Sequence, residues 1–120
     1  MREHEDRFGG GDLMSGFINW GDQTSETLAA MAADDPVAVL PVAAIEQHGP
    51  HLPLSTDAVI GEGLLDAASA VYNGMRPVLR LPMLSLGASV EHTGFPGTLS
   101  LSPERMAASI EAVGAGVARA

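Results

Sequence analysis

Glu46, His48, His51 and Asp57 fall in one short loop, stiffened by Pro50 and Pro53, directly after the apolar run Val37 to Ile45. Oxygen and nitrogen donors packed this closely suit a hard-to-borderline divalent cation, and thiolate sites are excluded because the chain has no cysteine. Glu46 and His48 are two residues apart, so in extended backbone they project from the same side, about 6.5 to 7 Å apart, a spacing that could serve two neighbouring ions. Asp57 falls at the expected start of the next helix. There the helix dipole favours its ionised form, and its two oxygens could bridge two ions. The first-turn position also suits an aspartate with no ligand role. His51 fits a loop hydrogen-bonding role as readily as a ligand role. A helical metalloprotease motif is excluded, because Gly49-Pro50 separates the two histidines and interrupts any helix there. A second polar loop carries Glu91-His92, either a solvated pair or a functional one set among the ordering residues Gly94, Pro96 and Gly97.

The elements that must position these loops follow from the apolar pattern. Thr24 or Ser25 caps a short helix through Ala33, with Glu26 in its first turn and Leu28 and Met31 as its buried side. Val37 to Ile45 reads as a strand covered on both faces, with Pro41 an interruption that a central strand accommodates only at a bulge or an end. Ala58 to Tyr72 has helical spacing at Ile60, Leu64, Leu65, Ala68 and Val71, and Asn73-Gly74 stops it. Val78 to Leu84 is a second strand, interrupted at Pro82. Ser102-Pro103-Glu104 then opens a helix whose stripe of Met106, Ile110, Val113 and Val117 is expected to pack on the sheet. Alternating helices and strands predict an α/β fold with a mostly parallel sheet, its active site in the loops beyond the carboxyl ends of the strands.

Composition narrows the function classes. Six Arg and Lys against 15 Asp and Glu give a net charge of −9 with no basic cluster, which argues against nucleic-acid and anionic-membrane partners. Hydrophobic residues make up 46 % of the chain, enough for a core, but only five residues are aromatic, so Ala, Val, Leu, Ile and Met must fill it. The absence of an apolar signal core and of a membrane-length apolar run makes a soluble cytoplasmic protein the expectation. Residues 1–16, polar and glycine-rich, are expected to form a flexible tail ahead of a domain over 17–120.

The segment LPVAAIEQHGPHLPLSTD, Leu40 to Asp57, resembles the signature of the creatininase family of metal amidohydrolases. GASVEHTGFPGT, Gly87 to Thr98, resembles the family's second block. The resemblance extends from about Ile18 to the end of the chain. It implies a layered α/β/α fold and two divalent ions, zinc or manganese. It also implies hydrolysis of a C–N bond in a cyclic or linear small-molecule amide or a short peptide by a hydroxide that bridges the metals. Carried over to matching positions, Glu46 resembles the ligand of one metal, His48 the ligand of the other and Asp57 the bridging carboxylate. His92 resembles a catalytic residue near the site, in substrate contact or supporting the ligands. Ala43 stands where the family has glycine, which strains the backbone only if that position needs positive φ. The family's downstream glycine-rich segment, with a histidine and an acid that complete the metal shells, has no counterpart here. The chain therefore resembles the amino-terminal half of the family domain. It is expected to be inactive in isolation and homo-oligomeric at full length. The alternative is a non-catalytic metal-binding or interaction fragment completed by a partner chain.

Overall fold

A computed structural model describes residues 16–120, so the tail expected over 1–16 lies, apart from Gly16, outside the described residues. The order is β1 (Ile18–Asn19), α1 (Ser25–Met31), β2 (Val37–Val39), α2 (Thr56–Val71), β3 (Val78–Arg80) and α3 (Pro103–Arg119). The three strands form a parallel sheet ordered β1-β3-β2, with Ile18 and Ala38 both opposite Leu79. Side chains alternate across a strand, so neighbouring residues of β3 serve opposite layers. Leu79 is buried against Ile18 and Met31, with Trp20 and Leu28 packed around them, which seats α1 on one face. Arg80 faces the other way and pairs with Glu62 and Asp66 of α2. The result is the α/β architecture anticipated from the alternating pattern.

Both prolines shorten the strands below the expected 37–45 and 78–84. Proline has no N–H to give to a ladder, so regular pairing ends at Val39 and Arg80. The backbones keep pairing beyond the interruption, but one residue out of the earlier register, with Val42 opposite Leu84. The Leu81 N–H donates to the Val39 carbonyl at 2.9 Å, Leu84 to Pro41 at 3.0 Å and Ala43 to Leu84 at 2.9 Å. This irregular extension carries the chain from the sheet into both polar loops. Asp35 is the one described non-glycine residue with positive φ, so Ala43 sits in ordinary backbone and its replacement of the family glycine causes no strain.

The helix starts follow from their caps. The Thr24 hydroxyl accepts from the Thr27 N–H and the Thr27 hydroxyl accepts from the Thr24 N–H, closing a reciprocal capping box on α1. Ser102 accepts from the Arg105 N–H at 3.2 Å and Pro103 opens α3. The predicted α3 stripe is only partly covered: Met106, Val113 and Val117 are half-buried, while Ile110 is exposed. Val117 lines a cavity of about 200 Å³ with Trp20, Leu28, Ala38 and Leu79, so the end of α3 lies on the α1 side of the sheet. Among the described residues, no helix is long and apolar enough to cross a membrane.

Candidate metal centre

Because all three strands are parallel, the segment after β2 and the segment after β3 leave the same edge of the sheet. The first folds back on itself. Gly49, at φ +80°, turns the chain, His48 and Leu52 face each other in an antiparallel bridge, and the Glu46 N–H donates to the Leu54 carbonyl at 3.2 Å. Thr56 then begins α2, which puts Asp57 in its first turn, where peptide dipoles favour a carboxylate. The second segment is pinned to the first: Leu99 donates to the Ile45 carbonyl at 2.9 Å, and the Thr98 hydroxyl accepts from the Gln47 N–H at 3.1 Å. Gly87 makes its own close approach, since a Cβ there would stand 2.6 Å from the Ala43 carbonyl oxygen.

This folding brings Glu46, His48 and Asp57 together, all half-buried, with one ligand atom from each lying within 4.8 Å of the others. His48 Nε2 is 3.0 Å from Asp57 Oδ1, and its Nδ1 is 2.9 Å from the Glu46 carbonyl oxygen. A second group, Glu46, Glu91 and His92, meets the same 4.8 Å limit. His92 Nε2 stands 3.8 Å from Glu46 and 3.9 Å from Glu91, outside direct hydrogen bonding to either. Glu46 belongs to both groups and therefore marks where the two loops meet. His51 is exposed near the loop tip and joins neither group.

These donors fit a divalent cation. Two atoms bound to one ion at about 2.0 to 2.2 Å cannot be more than about 4.4 Å apart, whereas two ions about 3.5 to 4 Å apart tolerate wider donor separations. Separations within 4.8 Å are compatible with either case and suit carboxylates that can lean inward or bridge. Three carboxylates converge with two imidazoles, while Arg76 is paired with Asp35 and Arg80 with Glu62 and Asp66. The hydrogen bond to the Glu46 carbonyl is the main reason that His48 holds its proton above the ordinary imidazole range. Burial opposes that shift, and the Asp57 hydrogen bond and charge add to it. A cation in the pocket would take the place of that Nε2 proton.

The sequence offered Glu91 only as half of the Glu91-His92 pair and gave it no ligand role, because a charged residue on an exposed turn is ordinarily solvated. Its place beside Glu46 depends on the long-range Ile45–Leu99 pairing, which no local spacing reveals. Thr98 was hidden for the same reason.

Residues 21–120 match the creatininase family, described as creatinine amidohydrolase. The mycofactocin precursor peptide peptidase of Mycolicibacterium smegmatis (strain ATCC 700084 / mc(2)155) is 40 % identical over 83 residues, which cover 68 % of this chain and 32 % of that protein. The protein of the same name from Mycobacterium tuberculosis (strain ATCC 25618 / H37Rv) is 35 % identical over 92 residues, 72 % of this chain and 37 % of its own length. Among solved structures, a mutant creatininase of Zn-Zn type superposes with a TM-score of 0.69 at 29 % identity, covering 88 % of this chain and 42 % of that one. The structure named Creatininase Mn gives 0.68 at 27 % identity, covering 86 % and 41 %. The chain thus spans about a third of the length of these curated relatives and about two fifths of the solved structures. With the family match running through both site loops and the fold shared with solved creatininases, this chain belongs to the creatininase family.

Proposed function

We propose that this chain supplies part of the centre of a divalent-metal amidohydrolase, with Glu46, His48 and Asp57 as ligands and a peptide C–N bond as the favoured substrate. The convergence of those three side chains at the sheet edge is the observation that carries the reading. Two ions, zinc or manganese, form part of it, supported by the Zn-Zn and Mn forms of the structural neighbours. The peptidase relatives support the peptide substrate. When bound, such ions polarise the amide carbonyl and acidify a water.

The residues of this chain have distinct parts in that chemistry. Nδ1 of His48 is held by the Glu46 carbonyl, which leaves Nε2 for the cation. Asp57 lies across from Nε2, and its carboxylate can span two ions. Glu46 presents its carboxylate from the strand end, where the two loops meet. His92, on the far loop and not hydrogen-bonded to Glu46, is placed to contact the substrate or steady the ligands. Hydrolysis is proposed for a protein of the relatives' full length, and this chain alone is expected to be inactive. A cytoplasmic setting completes the reading.

Equilibrium dialysis of the chain against zinc or manganese, followed by elemental analysis, tests the ligand assignment. The wild type should retain metal and His48→Ala should lose it; equal retention by the two would sink the assignment. A second reading, that of an interaction fragment, is favoured by the exposed apolar side chains Val59, Ile60 and Leu64 on α2. Homo-oligomeric assembly of a full-length protein would draw on the same surface.

A further inference from the structure

We infer that Thr98 is a positioning residue for the imidazole of His48, acting through the peptide bond between Glu46 and Gln47. The inference rests on the reading of His48 as a metal ligand. That peptide unit is held at both ends. Its N–H, belonging to Gln47, donates to Thr98 Oγ1 at 3.1 Å, and its carbonyl, belonging to Glu46, lies 2.9 Å from His48 Nδ1. The unit is planar, so fixing the direction of the N–H fixes the carbonyl on the opposite side. A carbonyl oxygen can only accept, so Nδ1 must carry a proton, and Nε2, which hydrogen-bonds to Asp57 Oδ1 here, is the nitrogen that would give its electron pair to a cation. The sequence of contacts from Thr98 Oγ1 through the peptide to His48 Nδ1 also aligns its dipoles head to tail, so each bond strengthens the next.

Thr98 is itself placed by its two neighbours. Leu99 pairs with Ile45 through its N–H at 2.9 Å. Gly97 has φ +94°, and a Cβ there would fall 2.5 Å from a methyl of Leu54, so the loop rests directly on the returning limb of the metal loop. Three consecutive residues, Gly97, Thr98 and Leu99, therefore grip Leu54, Gln47 and Ile45. Of the three, Thr98 is the one whose side chain reaches a peptide that borders on two ligands.

The test compares Thr98→Val, which keeps the shape and removes the acceptor, with Thr98→Ser, which keeps the acceptor. In the full chain, zinc affinity should fall about 10- to 100-fold in the valine variant, the scale for partners that orient ligands, and return near wild type in the serine variant. Amide exchange at Gln47 should quicken in Thr98→Val and stay slow in Thr98→Ser, while Leu99 exchange stays unchanged in both. The His48 Nδ1 proton resonance should be present in the wild type and the serine variant and absent in the valine variant. Wild-type zinc affinity together with an intact Nδ1 signal in Thr98→Val overturns the inference. If the valine variant does not fold, the wild type and serine variant decide: a Gln47 amide that exchanges freely, or an unprotonated His48 Nδ1, overturns it equally. Should His48→Ala bind zinc as tightly as wild type, the metal reading fails, and the relay is judged by the Gln47 and Nδ1 signals alone.

Discussion

The two site loops and the two long helices are held by different forces. Around the candidate centre, named hydrogen bonds fix the backbone: Glu46 to Leu54, Gln47 to Thr98, Leu99 to Ile45, and Leu101 to Gly87. The helical layer is held loosely. Neither α2 nor α3 has a fully buried residue, and Val59, Ile60, Leu64 and Val71 of α2 are all exposed. Among the described residues, the buried large apolar side chains are few and sit on or beside the sheet: Ile18, Met31, Val78, Leu79 and Leu81. The geometry of the candidate ligands therefore depends on directional bonds within this chain, while the outer apolar faces are left without cover among the described residues.

The largest expected effect is at the centre. Asp57→Ala removes the carboxylate that faces His48 Nε2 and, on the proposed reading, one ligand from each ion. Metal affinity should drop by more than about 100-fold, beyond the 10- to 100-fold scale of orienting partners, and hydrolysis by a full-length protein should disappear. Elemental analysis after dialysis gives the first answer and an amide-release assay the second. Two retained ions in this variant would contradict the bridging role.

Next comes the thin core. Leu79 is 3 % exposed at the middle of the central strand, so Leu79→Ala should cost about 2 to 5 kcal/mol of folding stability. Urea unfolding followed by circular dichroism measures it. A loss below about 1 kcal/mol would show that the sheet, like the helices, is loosely packed in solution.

His92→Ala should be milder than either. Its imidazole stands 3.8 Å from Glu46 without a direct hydrogen bond, so metal content should hold while turnover falls about 10- to 100-fold in a full-length protein. Loss of an ion in this variant would move His92 into the ligand set alongside Glu46, His48 and Asp57.

The same contrast explains what the sequence made legible. The three ligand candidates were visible because their chemistry is concentrated within one loop, and the helices because caps such as Ser102-Pro103 and the spacing of apolar residues are local signals. β1 was not anticipated, since two residues, Ile18 and Asn19, are too short for any periodicity to register; only their pairing with Leu79 and Arg80 makes them a strand. The strands of 37–45 and 78–84 were read too long because apolar character continues past Pro41 and Pro82, while ladder pairing requires an N–H that proline lacks. Glu91 and Thr98 act across more than 40 positions of sequence, where only the Ile45–Leu99 pairing brings them to the centre.

The smallest expected effect separates loose packing from absent cover. Leu64 lies on α2 at 66 % exposure, one residue from the half-buried Leu65. In this chain alone, Leu64→Ser removes little buried area, and its stability change should stay within about 0.5 kcal/mol, the range of surface positions free of special contacts. Leu65→Ser, on the partly covered side, should cost more, and that inequality is the measurement within this chain. In a protein of the relatives' length, or with a partner chain that covers the helix, the order should narrow or reverse. Burying a leucine side chain contributes about 1.5 to 3 kcal/mol, and the serine variant would forfeit it. Urea titrations of both variants, in the 120-residue chain and in the longer protein, therefore read directly whether further polypeptide lies over α2. An unchanged small effect for Leu64→Ser in both would mean that this apolar face stays open to solvent, and the interaction reading would lose its support.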